Sequence, residues 1–351
     1  MTRALRLALV GVITLTGVAV AVQYRLAPRV TPRSIGTGDL LQAVSIVDNE
    51  TVWLSGHSGT FARTTDGGKT WAVNKVPNAD SLEFRDVHAL SSDIAWLMSA
   101  GPGDRSRIYH TQDGGRTWDL QFQSNDPETF YDCFAFWDGM HGVAFSDAVG
   151  GRFVILRTTD GRTWSRVPAS NTPPALAAEG SFAASGTCVV TAGDRHGWIG
   201  TGNATIARVL RTNDRGATWK VSDTPVAAGE ATGIASLMFT DTLLGWAFGG
   251  RIGDPASVTN NAARTWDGGA TWELVTSPPF RGAIYGSGVV TGAPDVALVV
   301  TGPNGMAFTI DGGMSWRSLD TLSYWAVGFG SPHEGWAVGP AGRLAHVSMY
   351  Q

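Results

Sequence analysis

The amino-acid sequence predicts an all-β protein: a seven-bladed β-propeller of four-stranded blades, the last blade closed by an N-terminal strand. Three observations predict it. A Thr-x-Asp-Gly-Gly-x-Thr-Trp box, with small variations, recurs six times. A short apolar run, often centred on Trp, precedes each box. No segment beyond residue 40 carries the periodicity of an amphipathic helix. Composition agrees, with 45 Gly and 14 Trp among 351 residues and only 16% charged residues, which excludes a disordered chain and a helical coil. The net charge of −4 argues against a nucleic-acid protein, where a basic footprint is expected.

The chain begins with Arg3 and Arg6, then a run from Leu7 to Val22 whose only polar members are Thr14 and Thr16. A charged start followed by an apolar stretch is the layout of an export signal, so residues 1–22 are expected to be a signal peptide or a signal anchor. Ala19-Val20-Ala21 offers small residues for cleavage. Arg25, Arg29 and Arg33 on the far side are disfavoured in a translocated segment. The expectation is an exported protein, periplasmic, secreted or held facing outside the cytoplasm, touching a membrane only through this segment if it is uncleaved. Residues 23–40 read as a linker and closing strand, and 41–351 as the propeller.

The boxes place Asp66, Asp113, Asp160, Asp214, Asp267 and Asp311 at spacings of 47, 47, 54, 53 and 44 residues, the period of a repeat architecture. The box at Asp160 is one residue shorter. The boxes end in Trp71, Trp118, Trp164, Trp219, Trp272 and Trp316, and the apolar runs carry Trp53, Trp96, Trp198, Trp246 and Trp336. These two slots absorb 11 of the 14 tryptophans, so Trp usage reflects the repeat rather than a scattered set of binding residues.

Each unit reads as four short strands; in the first they cover 41–47, 51–56, 59–65 and 70–76. Such a unit of roughly 45 residues is the pattern of a propeller blade. Six full units lie near 41–76, 84–122, 131–167, 181–221, 233–275 and 283–319. A seventh begins near Trp325 and has room for three strands; the stretch 30–35 is expected to supply its fourth and so remove an open sheet edge. The Pro/Ala-rich stretch 168–180 and the Gly-rich stretch 249–261 read as loops and account for the two longer spacings.

Within a box, Asp and Gly suit a tight connection between strands, the Thr hydroxyl can bond the carboxylate or a turn amide, and the Trp is expected to bury itself in the blade core. Six equivalent aspartates around a ring are a structural repeat; an active site needs one acid. Calcium wants six to eight oxygen ligands, which one Asp and its glycines do not supply. No metal or cofactor is expected.

These boxes resemble the Asp-box repeats of sialidases and related glycoside hydrolases. The pairing of Gly245-Trp246-Ala247-Phe248-Gly249 or Gly335-Trp336-Ala337-Val338-Gly339 with such a box is more similar to the photosystem II stability/assembly factor family and its bacterial relatives. The resemblance covers about residues 41–349 and implies the propeller fold; for function it implies a non-catalytic scaffold binding a protein, peptide or envelope ligand. The sialidase pattern is not matched: Phe84-Arg85-Asp86 lacks the expected Ile-Pro, and no tyrosine has an evident Glu partner.

In a propeller, blade-to-blade connections and the loops between second and third strands share one face, and loops on a rigid scaffold are where binding concentrates. Arg85, Asp132, Asp147, Arg152 and Glu179 fall on that face and are the candidate ligand-binding residues. The alternative is a glycoside hydrolase in which Asp132 and Glu179 face each other as acid and base; paired carboxylates at roughly 5–9.5 Å are what that chemistry needs. Pairing of either with arginine would favour the binding module instead. Cys133 and Cys188 lie in the inner strands of units three and four. Two unpaired thiols are expected, because inner strands of adjacent blades often sit beyond the ~7 Å Cα limit; a disulfide is the alternative in an oxidising compartment.

Overall fold

The computed structural model describes residues 25–258 and 260–351. The expected signal segment, 1–22, lies outside them.

Seven sheets of four strands each form the body, and every sheet is antiparallel throughout. Blade 1 runs in order through Leu41–Ile46, Thr51–Gly56, Thr60–Thr65 and Ala72–Lys75. Blades 2 to 6 repeat that order over 84–123, 131–166, 189–223, 232–274 and 286–320. Blade 7 takes three strands, Ala326–Phe329, Gly335–Val338 and Leu344–Tyr350, from the C-terminal end. Its fourth strand is Leu26–Arg33, which pairs antiparallel with the last one, Val30 opposite Val347 and Arg33 opposite Leu344. First and last strands therefore share one sheet. The second strands are buried over most of their length because each blade packs between two others; Thr51–Gly56 and Ala95–Ser99 are buried throughout.

The boxes are side-chain-tied hairpins. In the first, Thr64 Oγ1 donates to Asp66 Oδ1 at 2.8 Å and accepts the Gly68 amide at 3.0 Å. Asp66 also accepts the Thr70 amide at 2.9 Å and the Thr70 hydroxyl at 2.6 Å. The same net recurs around Asp113, Asp160, Asp214, Asp267 and Asp311. The Thr70 hydroxyl and amide hold the Asp66 carboxyl down to about 2. With both carboxylate oxygens accepting protein donors, the box is a turn clamp.

Burial of the tryptophans differs from expectation. Those in the apolar runs, such as Trp53 and Trp246, are 0–1% exposed, whereas among the box tryptophans only Trp219 reaches full burial. The box ring lies at the rim of the outermost strand and crosses to its neighbour. Trp71 of blade 1 packs edge-on against Trp336 of blade 7, and Trp118 of blade 2 against Trp53 of blade 1. The buried indoles reciprocate: Trp198 and Trp246 donate to the carbonyls of Gly268 and Gly312 in the next blade's box. Gly68 shows the cost of this closeness, since at φ +74° a Cβ there would stand 2.1 Å from the Trp336 ring.

Blade 4 departs from the repeat. Its inner strand is only Val189–Ala192, and the preceding residues 181–188 turn into the centre of the ring. There the Ala183 carbonyl accepts from Gln42 of blade 1 at 2.8 Å, and Gly186 lies against Asp86 of blade 2. Ser185 donates to the Tyr285 carbonyl ahead of blade 6, and Thr187 shares a hydroxyl bond with Ser236 of blade 5. Cys188 is disulfide-bonded to Cys133 of blade 3, with Cα atoms 5.9 Å apart. The expected free thiols are thus a disulfide. Cys188 leaves the regular strand path and crosses toward blade 3, which brings the pair inside the distance limit.

Candidate functional site

Where the diverted segment meets the inner strands of blades 2 and 3, it floors a cavity of about 230 Å³. Arg85, Phe130, Asp132, Asp147, Ser181, Phe182, Ala183, Ala184, Ile252 and Trp325 line it. Three of the five residues singled out in the sequence, Arg85, Asp132 and Asp147, come together here.

Asp132 is 1% exposed. It begins the inner strand of blade 3, and the Ala183 amide donates to its carboxylate. Its Oδ2 is buried without a hydrogen-bond donor from the protein. Asp147, in the adjacent strand Gly142–Val149, accepts the Ser181 amide at 2.9 Å. The two carboxyls are within hydrogen-bonding reach of each other. Burial, and then the neighbouring Asp147 charge, push Asp132 well above the usual carboxylate range; burial raises Asp147 as well. The pair is consistent with a shared proton. Arg85 makes its hydrogen bonds to Glu83, through Nε at 3.0 Å and Nη2 at 2.6 Å, and acts on Asp132 only through its charge, which partly offsets the rise.

Glu179 is not in this cavity. Its carboxylate is buried in blade 4, where Oε1 accepts Thr201 Oγ1 at 2.7 Å and Arg208 Nε at 2.9 Å. Oε2 accepts Arg208 Nη2 and the Leu176 amide. Every lone pair that a general acid or base would use is engaged, and the residue anchors the 168–180 loop. Arg152 also lies outside the cavity, exposed at the start of its strand and bridged to Pro174. The loop before blade 4 holds Glu179 against Arg208 and Thr201 of blade 4 and meets Arg152 of blade 3 through Pro174.

The aromatic lining was not singled out in the sequence. Trp325 is half-buried and stacks on Tyr285 with ring centroids 4.5 Å apart. It had a signal, being one of three tryptophans, with Trp137 and Trp266, outside both repeat slots. Phe130 and Phe182 carried none. Among the described residues, no group of three or more His, Cys, Asp or Glu is placed to hold a metal ion.

The sequence pattern of the family described as photosynthesis system II assembly factor YCF48 matches residues 29–125. The photosystem II assembly protein Ycf48 of Synechococcus sp. (strain JA-2-3B'a(2-13)) is 25% identical over 155 residues, covering 33% of this chain. The match spans 45% of that relative's length. Among solved structures, "YCF48 bound to D1 peptide" superposes with a TM-score of 0.66 at 16% identity, over 94% of this chain and 99% of that one. The glycoside hydrolase of Niastella koreensis, an enzyme of family GH74, superposes with a TM-score of 0.61 at 12% identity over 90% of this chain and 53% of its own. At such identities these likenesses establish the propeller fold.

Proposed function

We propose that this chain is an exported, non-catalytic propeller that binds a protein or peptide segment on the face carrying the blade-to-blade connections, as an assembly or stability factor does. The observation that carries the reading is the mouth cavity: half-exposed aromatic rings beside buried polar groups, on a rigid ring, without a competent acid–base pair. Glycoside hydrolysis needs two carboxyl groups about 5–9.5 Å apart across a substrate. Here one member of the expected pair is spent on Arg208, and the other, Asp132, lies within hydrogen-bonding reach of Asp147, too close for a substrate between them. The similarity to Ycf48, one of whose structures holds a D1 peptide, supports a protein ligand. The disulfide supports an oxidising compartment, where such bonds persist.

The test is capture by cross-linking of the affinity-tagged full chain in its own cell envelope, with Trp325→Ala on the cavity face and Trp266→Ala in a box on the opposite face. A defined protein should be captured by the wild type and Trp266→Ala and lost from Trp325→Ala. Identical capture by all three, or turnover of a glycan panel by the purified chain, overturns the proposal.

A further inference from the structure

We propose that the mouth cavity takes one cationic side chain of a protein ligand, a lysine ammonium or an arginine guanidinium, seated between the Asp132–Asp147 carboxyl pair and the Trp325 ring. This deepens the protein-binding reading of that face and rests on it.

Size narrows the ligand first. At about 230 Å³ the cavity falls below the roughly 300–1,000 Å³ of small-molecule and cofactor sites, and suits a single inserted side chain. Charge then sets its sign. Asp132 Oδ2 is buried with no protein donor, and the Asp132 carboxyl lies within hydrogen-bonding reach of a second carboxyl, Asp147. Two such groups in contact require a proton or a cation between them. No cation of the cavity is hydrogen-bonded to the pair: the charge of Arg85 acts on Asp132, but its guanidinium is bonded to Glu83, and Arg208 is held by Glu179. His57 does not line the cavity; it stands 3.8 Å from Glu83 and bonds Gln42. The excess of acceptors is therefore open to an N–H donor from outside.

The walls agree. Phe130, Phe182 and Trp325 surround the carboxyls, and stacking on Tyr285 fixes the Trp325 plane. Aromatic faces attract ammonium and guanidinium groups and are indifferent or repulsive to anions. A hard metal ion is a poorer fit, since calcium needs six to eight oxygen ligands and the cavity has two carboxyls.

The experiment uses purified full-length chain labelled with ¹⁵N-tryptophan, the Trp325 indole signal being assigned from Trp325→Phe. Nα-acetyl-lysine methylamide and Nα-acetyl-arginine methylamide are titrated to about 50 mM, past the millimolar range expected of one side chain. The neutral Nα-acetyl-norleucine methylamide and the anionic Nα-acetyl-glutamate methylamide are the controls. At least one cationic probe should shift the Trp325 signal saturably, with at least tenfold tighter apparent affinity than either control. Asp132→Asn should weaken that binding at least tenfold, and Asp147→Asn serves the same purpose if the first variant does not fold. Absence of saturation by both cations, equal binding of norleucine, or unchanged binding in the folded Asn variant overturns the inference. Because only small probes are used, the result is separable from the capture experiment. Cation binding without a captured partner defeats the assembly reading alone; a captured partner without cation binding defeats the cationic pocket alone.

Discussion

Breaking the Cys133–Cys188 bond should loosen the centre of the ring before it unfolds the rim. The bond closes a loop of 55 residues. In the chain-entropy account, a loop of that length restricts the unfolded state by about 4 kcal/mol, between the ~3 kcal/mol of a 15-residue loop and the ~4.7 kcal/mol of a 100-residue one. Unfolding entropy of about 2.1 cal/mol/K per residue gives a propeller of this size roughly 0.7 kcal/mol/K, so the melting temperature should fall by about 6 °C. The assay is scanning calorimetry of protein made in an oxidising compartment, with and without reductant, beside the Cys133→Ala/Cys188→Ala double variant. Alkylation under denaturing conditions should label neither cysteine before reduction and both after it. Hydrogen exchange should quicken first at the Ser185 and Thr187 amides, because Cys188 anchors the segment that fills the channel. A shift below about 1 °C, or two alkylated thiols in the unreduced protein, would refute the reasoning.

Three further outcomes follow from the same geometry. Arg208→Met strands the Glu179 carboxylate in a site that is 0% exposed, and should cost about 3–5 kcal/mol in denaturant unfolding; adding Glu179→Gln should recover part of it, and no recovery would mean the pair is not the cause. Trp246→Phe keeps most of the buried ring but removes the bond to the Gly312 carbonyl, for a loss of about 1–3 kcal/mol, whereas Trp246→Ala should lose about 3–5 kcal/mol; a Trp246→Phe loss near zero would show that the bond contributes nothing. Stability should rise as pH climbs from about 2 to about 4, because Asp66, Asp113 and Asp311 are held near 2 when folded, so their contribution is present above the unfolded value and lost as pH falls through the folded one. Asp86, raised by burial, has the opposite sign: its contribution is complete below the unfolded value and is lost as pH rises through the folded one. Melts of wild type and Asp86→Asn from pH 2 to 8 should therefore diverge in the variant's favour as pH rises, and a constant difference would contradict the assignment.

The propeller was legible because its information is local and repeated. A box of eight residues holds its own turn: Thr64, Asp66 and Thr70 find one another within six positions, whatever the rest of the chain does. The spacing of the boxes then counts the blades, and the missing box of the last unit points to the N-terminal strand that completes it. The site was legible only in part. Asp132, Asp147 and Arg85 stand at predictable ends of regular strands and meet where the ring geometry puts them. Glu179 sits in a Pro/Ala-rich stretch with no periodicity to orient it, so nothing local indicated that its partner would be Arg208, 29 residues on.

Sequence by itself determined the ring: the turn chemistry of each box and the buried second strand, which carries Trp in five of the seven blades, are written within single repeats, and the succession of repeats counts the blades. Tertiary structure alone decided the centre. The path of residues 181–188 across the channel, the bond between Cys133 and Cys188, and the contact of two carboxyls beside Trp325 all join blades far apart in the chain. Those contacts depend on how seven separate sheets converge on one axis, a long-range geometry that short-range residue patterns do not encode.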